Sequence, residues 1–321
     1  MNIRPRRLRQ NSIIREMISE TILTPSHLIQ PLFLTEGKNQ KMAIQSMPGQ
    51  FRFSIDEAIK VIDEMKKDGV KTFALFPVVD EKLKTSTCIE ALNKNNLNFR
   101  ASRTIKEAHP DIILMGDIAL DPYSSDGHDG LVENGKILND ETLEILSEMS
   151  LLSAQNGYDI LGPSDMMDGR VKIIRETLEK NKLADTLIMS YTAKYASSFY
   201  GPFRDALESH PKAGDKKTYQ MDFRNSLEAI KEMELDIAEG ADMVMVKPGL
   251  SYLDIIHVLK KHSKVPVAAY NVSGEYAMVK AAHEKGWING EKVMMEMLYS
   301  FRRAGADIIL TYFAREASKL L

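Results

Sequence analysis

One cysteine, Cys88, stands in a chain of 321 residues. That scarcity rules out an intramolecular disulfide and any metal site made of several thiolates, and it fits the reducing cytoplasm where the protein is expected to reside. No histidine or aspartate lies beside Cys88 in sequence, so it reads as an inert small residue at a helix entry, not a reactive thiol. Long apolar runs are missing too: none approaches the roughly 18 residues of a membrane helix. Charge is abundant but balanced, 27% of residues for a net −3, which implies neither a nucleic-acid nor a membrane partner. No Gly-rich dinucleotide fingerprint follows an early strand. No repeat, low-complexity segment or linker divides the chain, and one large α/β domain accommodates its length, with two domains the other option.

What is present first is a basic start. Arg4, Arg6, Arg7, Arg9 and Arg15 all precede the first acid, Glu16. No apolar core follows, so a secretory signal is not expected; a transit peptide and an RNA-binding arm remain alternatives. Pro5 and the crowded charges discourage an autonomous helix and favour an arm, residues 1–25, that contacts another subunit. Residues 26–321 are then expected to form the one large domain.

Eight strand-like apolar runs follow, at 29–34, 72–76, 112–117, 158–161, 187–190, 243–247, 265–270 and 307–311. Between them lie amphipathic stretches at 55–67, 140–156, 169–180, 223–239, 252–261, 275–285 and 291–303. Ser54 and Glu57 form a capping-box pattern, and Gly69, Gly157, Gly240, Gly286 and Gly305 follow helix ends. Continuous apolar strands alternating with helices imply a parallel sheet, and eight close a TIM barrel. A doubly wound open sheet is the runner-up.

Two of the runs end on lysine: Leu187-Ile188-Met189-Ser190-Tyr191-Thr192-Ala193-Lys194 and Met243-Val244-Met245-Val246-Lys247-Pro248. Burial disfavours an ammonium ion, and a neutral lysine amine attacks ketones to form a Schiff base. Two such lysines suggest two carbonyl substrates, each held covalently. Asp117, Ser164, Ser273 and Tyr312 also fall at or just beyond strand ends, the face where a barrel builds its active site. Residues 195–221, the longest insertion, combine aromatics with Arg204, Lys216 and Lys217 and read as a lid over an anionic substrate.

At these residues the chain resembles the porphobilinogen synthase (5-aminolevulinic acid dehydratase) family. The matching words include Arg4-Pro5-Arg6-Arg7-Leu8-Arg9, Gly116-Asp117-Ile118-Ala119-Leu120-Asp121-Pro122-Tyr123 and Ser164-Asp165-Met166-Met167-Asp168-Gly169-Arg170. Others are Ser190-Tyr191-Thr192-Ala193-Lys194, Phe199-Tyr200-Gly201-Pro202-Phe203-Arg204, Met245-Val246-Lys247-Pro248, Asn271-Val272-Ser273-Gly274-Glu275-Tyr276 and Thr311-Tyr312. The resemblance runs collinearly along essentially the whole chain.

It implies a TIM barrel with a long amino-terminal arm, assembled as an octamer of arm-clasped dimers, that condenses two molecules of 5-aminolevulinate to porphobilinogen with loss of two waters. By the same resemblance Lys247 binds the substrate giving the propionate side and Lys194 the one giving the acetate side. Ser273 and Tyr312 hold the first carboxylate; Arg204, Lys216 and Gln220 hold the second. Lys216 stands where the family commonly has arginine, which keeps the charge and loses the bidentate fork. Asp117 joins as a catalytic-network carboxylate.

Many members carry a catalytic zinc on three cysteines, whose positions here are Ala119, Asp121 and Asp129. Alanine cannot coordinate, and carboxylates suit magnesium better than zinc, so no catalytic zinc is expected. At Asp121 and Asp129 a hydrated magnesium or potassium ion and a plain solvated loop are the alternatives. The family's allosteric magnesium maps onto Glu232, with Asp236 one turn later. A single-lysine aldolase, with Lys194 in a structural ion pair, is the rival enzymatic reading.

Overall fold

The computed structural model describes residues 2–209, 212 and 214–321. Its strands are β1 (Leu28–Leu34), β2 (Lys41–Ala43), β3 (Phe51–Phe53), β4 (Thr72–Pro77), β5 (Ile113–Ile118), β6 (Leu131–Glu133), β7 (Lys136–Leu138), β8 (Ile160–Pro163), β9 (Leu187–Lys194), β10 (Met243–Lys247), β11 (Val267–Asn271) and β12 (Ile308–Thr311). Its helices are α1 (Ser12–Met17), α2 (Ile55–Lys67), α3 (Leu97–Ala108), α4 (Asn139–Gln155), α5 (Arg170–Lys180), α6 (Gly201–Leu207), α7 (Leu227–Glu239), α8 (Leu253–His262), α9 (Ser273–Glu284), α10 (Gly290–Ala304) and α11 (Ala314–Ser318).

Eight strands pair in parallel in the order β1, β4, β5, β8, β9, β10, β11, β12, and β12 returns to β1 through Leu28↔Ile309 and Ile29↔Leu310. This is the expected TIM barrel, and all eight predicted strands are in it. Pro31 lies inside β1 without an N–H to give, yet the wall holds. Along one edge β1 pairs β12 at Leu28 and Ile29, then β3 at Phe33 and Leu34, and Pro31 falls between the two ladders.

The differences from expectation have local causes. Helix α3 was not foreseen, because its buried face mixes Leu97, Phe99 and Ile105 with Asn98 and Ser102. Those polar groups are satisfied: the Tyr158 hydroxyl donates to Asn98 Oδ1 at 2.5 Å and Ser102 Oγ to the Phe99 carbonyl at 3.2 Å. Strand β9 runs to Lys194, four residues past the predicted end, because Ser190 and Thr192 are buried with their hydroxyls donated to Asp236. The capping box at Ser54 does not form. Ser54 Oγ instead donates to Asp56 Oδ1 at 2.6 Å and accepts from Gln40 N at 2.9 Å, tying α2 to the β2–β3 hairpin.

The arm contains a 3₁₀ turn (Pro5–Arg9) and α1, with no buried residue in either. It meets the barrel where Arg302 Nε donates to the Ile22 carbonyl and Leu23 is buried. Among the described residues no helix is long and apolar enough to cross a membrane.

Candidate active site

The parallel register decides where the two lysines go. Lys194 ends β9, Lys247 ends β10, and the two residues are direct neighbours in the ladder, with side chains at the carboxyl-end mouth of the barrel. Asp117 of β5, Ser164 just after β8, and Asp121 and Asp129 of the loop after β5 line the same cleft. The segment 195–221, in its described residues, contributes Tyr200, Phe203, Arg204, Lys216 and Gln220 to the lining. Its ends are pinned: Met221 N donates to the Lys194 carbonyl at 3.0 Å and Ala196 N to the Met221 carbonyl at 2.9 Å. His210, Pro211 and Ala213 of the predicted lid lie outside the described residues.

The two amines sit in opposite environments. Lys247 Nζ faces rings: Tyr270 at 4.5 Å, Tyr191 at 4.9 Å, Phe203 at 5.2 Å and Tyr200 at 5.3 Å from their centroids. Burial and the ammonium of Lys194 pull its pKa down to about 7, against the opposing pull of Asp117, Asp121 and Asp129. A cation over ring faces keeps some attraction, but less than lost water supplied. Lys194 Nζ is instead held by polar groups, donating to the Ser164 carbonyl and lying 3.5 Å from Asp129 Oδ2.

Asp129 is the hub of the polar half. It accepts from Lys216 Nζ at 3.0 Å and from Gln220 Nε2 at 3.3 Å, and Asp121 lies 3.8 Å from Lys216. Burial alone would raise its carboxyl, but Lys194 and Lys216 outweigh that and hold it well below the usual range. Burial pushes Asp117 up to about 6, against Lys247. Arg204 has no ion-pair or hydrogen-bond partner for its guanidinium among the described residues.

Ser273 and Tyr312 stand apart from the lysine cleft's polar half. Ser273 Oγ accepts from Phe203 N at 2.9 Å, and the Tyr312 hydroxyl is 3.0 Å from that of Tyr270, one of the rings around Lys247. The predicted substrate-binding residues therefore divide between the two lysines: Ser273 and Tyr312 on the aromatic side, Arg204, Lys216 and Gln220 on the polar side.

Two groups of candidate metal residues are placed otherwise than the chain order suggests. Asp121 and Asp129 do not form an open acidic loop, because Lys216 and Lys194 already neutralise them. Asp236 does not share a solvent face with Glu232. It is buried, and its Oδ2 accepts from Thr192 Oγ1 at 2.6 Å and Ser190 Oγ at 2.7 Å and pairs with Arg170 at 3.3 Å. Glu232 lines a surface cleft together with Asp168 and Glu228, without Asp236. Among the described residues no three carboxylate, imidazole or thiol groups form a metal-holding cluster.

Sequence reasoning missed the aromatic surround of Lys247 and the role of Asp129. Tyr191 and Tyr270 were visible only as strand residues and Tyr200 and Phe203 only as lid aromatics, since strand parity and lid folding are what aim them at one amine.

The family model for delta-aminolevulinic acid dehydratase matches residues 2–320. The chain belongs to that family. It is 52% identical to the delta-aminolevulinic acid dehydratase of Bradyrhizobium diazoefficiens over 320 residues, 99% of this chain and 91% of that one. It is 50% identical to the Rhodobacter capsulatus enzyme of the same name, over 99% of this chain and 96% of that one. The crystal structure of the Toxoplasma gondii dehydratase (porphobilinogen synthase) in complex with its reaction product porphobilinogen superposes with a TM-score of 0.98. That alignment is at 52% identity and covers all of this chain and 92% of that one. The dehydratase described here is therefore a lyase of tetrapyrrole biosynthesis, condensing 5-aminolevulinate to porphobilinogen.

Proposed function

We propose that this dehydratase holds its two 5-aminolevulinate molecules as Schiff bases on Lys247 and Lys194. The observation that carries the reading is the pairing of the two lysines in the barrel ladder, one amine among rings and pulled to about 7, the other among carboxylates. An amine near neutrality is substantially unprotonated at cellular pH and attacks a ketone directly. The resulting iminium acidifies the adjacent carbon, and Asp117, which lines the cleft and is pushed up to about 6, is our candidate to accept that proton. Deprotonation gives an enamine whose carbon attacks the second substrate's activated carbonyl carbon. Holding both partners replaces a bimolecular encounter with a positioned one, worth up to about 7–11 kcal/mol.

Ser273, whose hydroxyl here donates to the Phe199 carbonyl at 3.3 Å, and Tyr312 would turn their hydroxyls to the carboxylate of the Lys247-bound substrate. Arg204, Lys216 and Gln220 offer donors to the other, with Arg204 free to engage it and Lys216 shared with Asp129. Lys247→Met should abolish both product and the borohydride-reducible adduct. Lys194→Met should keep one trapped substrate per site and lose condensation. Substantial turnover by the first variant, or no trapping by the second, would overturn the assignment.

Glu232 is the residue we propose for an allosteric magnesium ion. Burial raises its carboxyl, and Asp236, Asp168 and Glu228 add to that against Arg170, so a cation there would be welcome. A hydrated magnesium needs only one or two carboxylates, which Glu232 and its neighbours can supply. The exposed apolar residues of the arm, Ile3, Leu8, Ile13 and Met17, support a subunit-clasping role and an octamer of dimers. Cytoplasmic residence fits the single buried cysteine.

A further inference from the structure

We infer that Arg52, with Lys84, is the latch that positions the lid helix α6 over the substrates; this deepens the proposed reading of Lys247 and Arg204. Helix α6 has seven residues and ends on Glu208 at φ 54°, a left-handed conformation for a residue with a Cβ. A helix that short is not stable alone, and its last carbonyls need partners. Both needs are met from outside the lid. Arg52 Nε donates to the Ala206 carbonyl at 2.8 Å, its Nη2 to the Asp205 carbonyl at 2.8 Å, and its Nη1 pairs with Glu208 Oε1 at 2.7 Å. Lys84 Nζ donates to the Glu208 carbonyl at 2.7 Å.

Both cations stand at the negative end of the helix dipole. Arg52 lies on β3, in register with Phe33 of β1, and the Phe33 ring is 5.8 Å from that of Phe203. One strand pair thus grips both ends of α6: a ring beneath its first turn and a guanidinium on its last. Phe203 and Arg204, carried between these grips, face Lys247 and the substrate cleft. The three bonds leave from three separate nitrogens, a spread that the single ammonium of lysine lacks. Arg52 is a positioning residue, and it touches no reacting atom.

The test compares wild type, Arg52→Ala, Arg52→Lys and Lys84→Ala. Arg52→Ala should raise the KM for 5-aminolevulinate by about tenfold or more, the loss of one to two charged hydrogen bonds. Its thermal midpoint should stay near that of wild type, and added methylguanidine should restore part of the KM. Arg52→Lys should fall between, and Lys84→Ala should show a smaller rise. Limited proteolysis within 195–221 should be about tenfold faster in Arg52→Ala, by the same free energy. An unchanged KM, or activity lost only in step with folded protein and not rescued by methylguanidine, would overturn the latch. Equal cleavage rates would overturn it whatever happens at Lys247. Failure of wild type to form a borohydride adduct at Lys247 would instead strike the reading of the site.

Discussion

A buried lysine without a carboxylate against it is costly, and Lys247 makes that cost measurable. Its pKa in the folded protein is about 7 against an ordinary 10.5. Between those values the unfolded chain binds a proton that the folded one does not, so this group's contribution to stability rises with pH. Below about 7 both states are protonated and the penalty of burying the cation is fully felt. Lys247→Met should therefore be more stable than wild type by about 1–4 kcal/mol in mildly acidic buffer. The gain should shrink as pH rises toward 10.5. Denaturant unfolding at several pH values checks this, and a gain independent of pH would contradict the aromatic environment as its cause. Cys88 poses the reverse case. Burial pushes its thiol up to about 11, so little thiolate exists at neutral pH. Activity should survive thiol reagents and a zinc-selective chelator; inactivation by chelator, restored only by zinc, would show the loop of Ala119, Asp121 and Asp129 to have been misread.

Among the elements, the lid depends most on close backbone contacts. Gly274 opens α9 against the 3₁₀ turn Ser198–Tyr200, and a Cβ there would sit 2.6 Å from the Phe199 carbonyl oxygen and 2.9 Å from its Cα. Backbone cannot swing away as a side-chain tip does. Gly274→Ala should therefore displace the lid entry, costing about 1–3 kcal/mol of stability and raising KM. A variant with wild-type KM and thermal midpoint would show that this approach is not tight. The same elements show which patterns were readable. Helix α2 was legible to the residue because its apolar spacing is clean, and Gly240 and Gly305 marked helix ends by their left-handed φ of 108° and 119°. Helix α3 and the second half of β9 were not, because Asn98, Ser102, Ser190 and Thr192 face inward on partners that no local pattern announces.

For the whole molecule, assembly and catalysis are expected to be coupled through α7. An ion that binds one assembly better than another shifts the equilibrium by that difference in affinity. Magnesium should raise activity and native mass in wild type and do neither in Glu232→Ala, which leaves both lysines untouched. Asp236→Asn should behave differently, destabilising the fold by about 3–5 kcal/mol, because it strips the buried Arg170 of its nearest carboxylate. Native mass across a magnesium titration and thermal unfolding separate the two. Identical magnesium responses in wild type and Glu232→Ala would return Glu232 to an ordinary helix face.

By itself the sequence determined the barrel, the strand ends that carry chemistry and the two lysines, because apolar periodicity and terminal position are local properties of a strand. It also determined that the site could not rest on thiolates. Tertiary structure alone decided which groups meet. Asp129 became the partner of Lys194 and Lys216 because the loop after β5 folds back beneath a lid 87 residues away in sequence from its own carboxylate. Tyr191, Tyr200, Phe203 and Tyr270 converge on Lys247 from three separate segments, and their combined exclusion of water lowers its basicity. Burial and electrostatic pairing are sums over all neighbours in space, and a chain read in order shows only those next to each other.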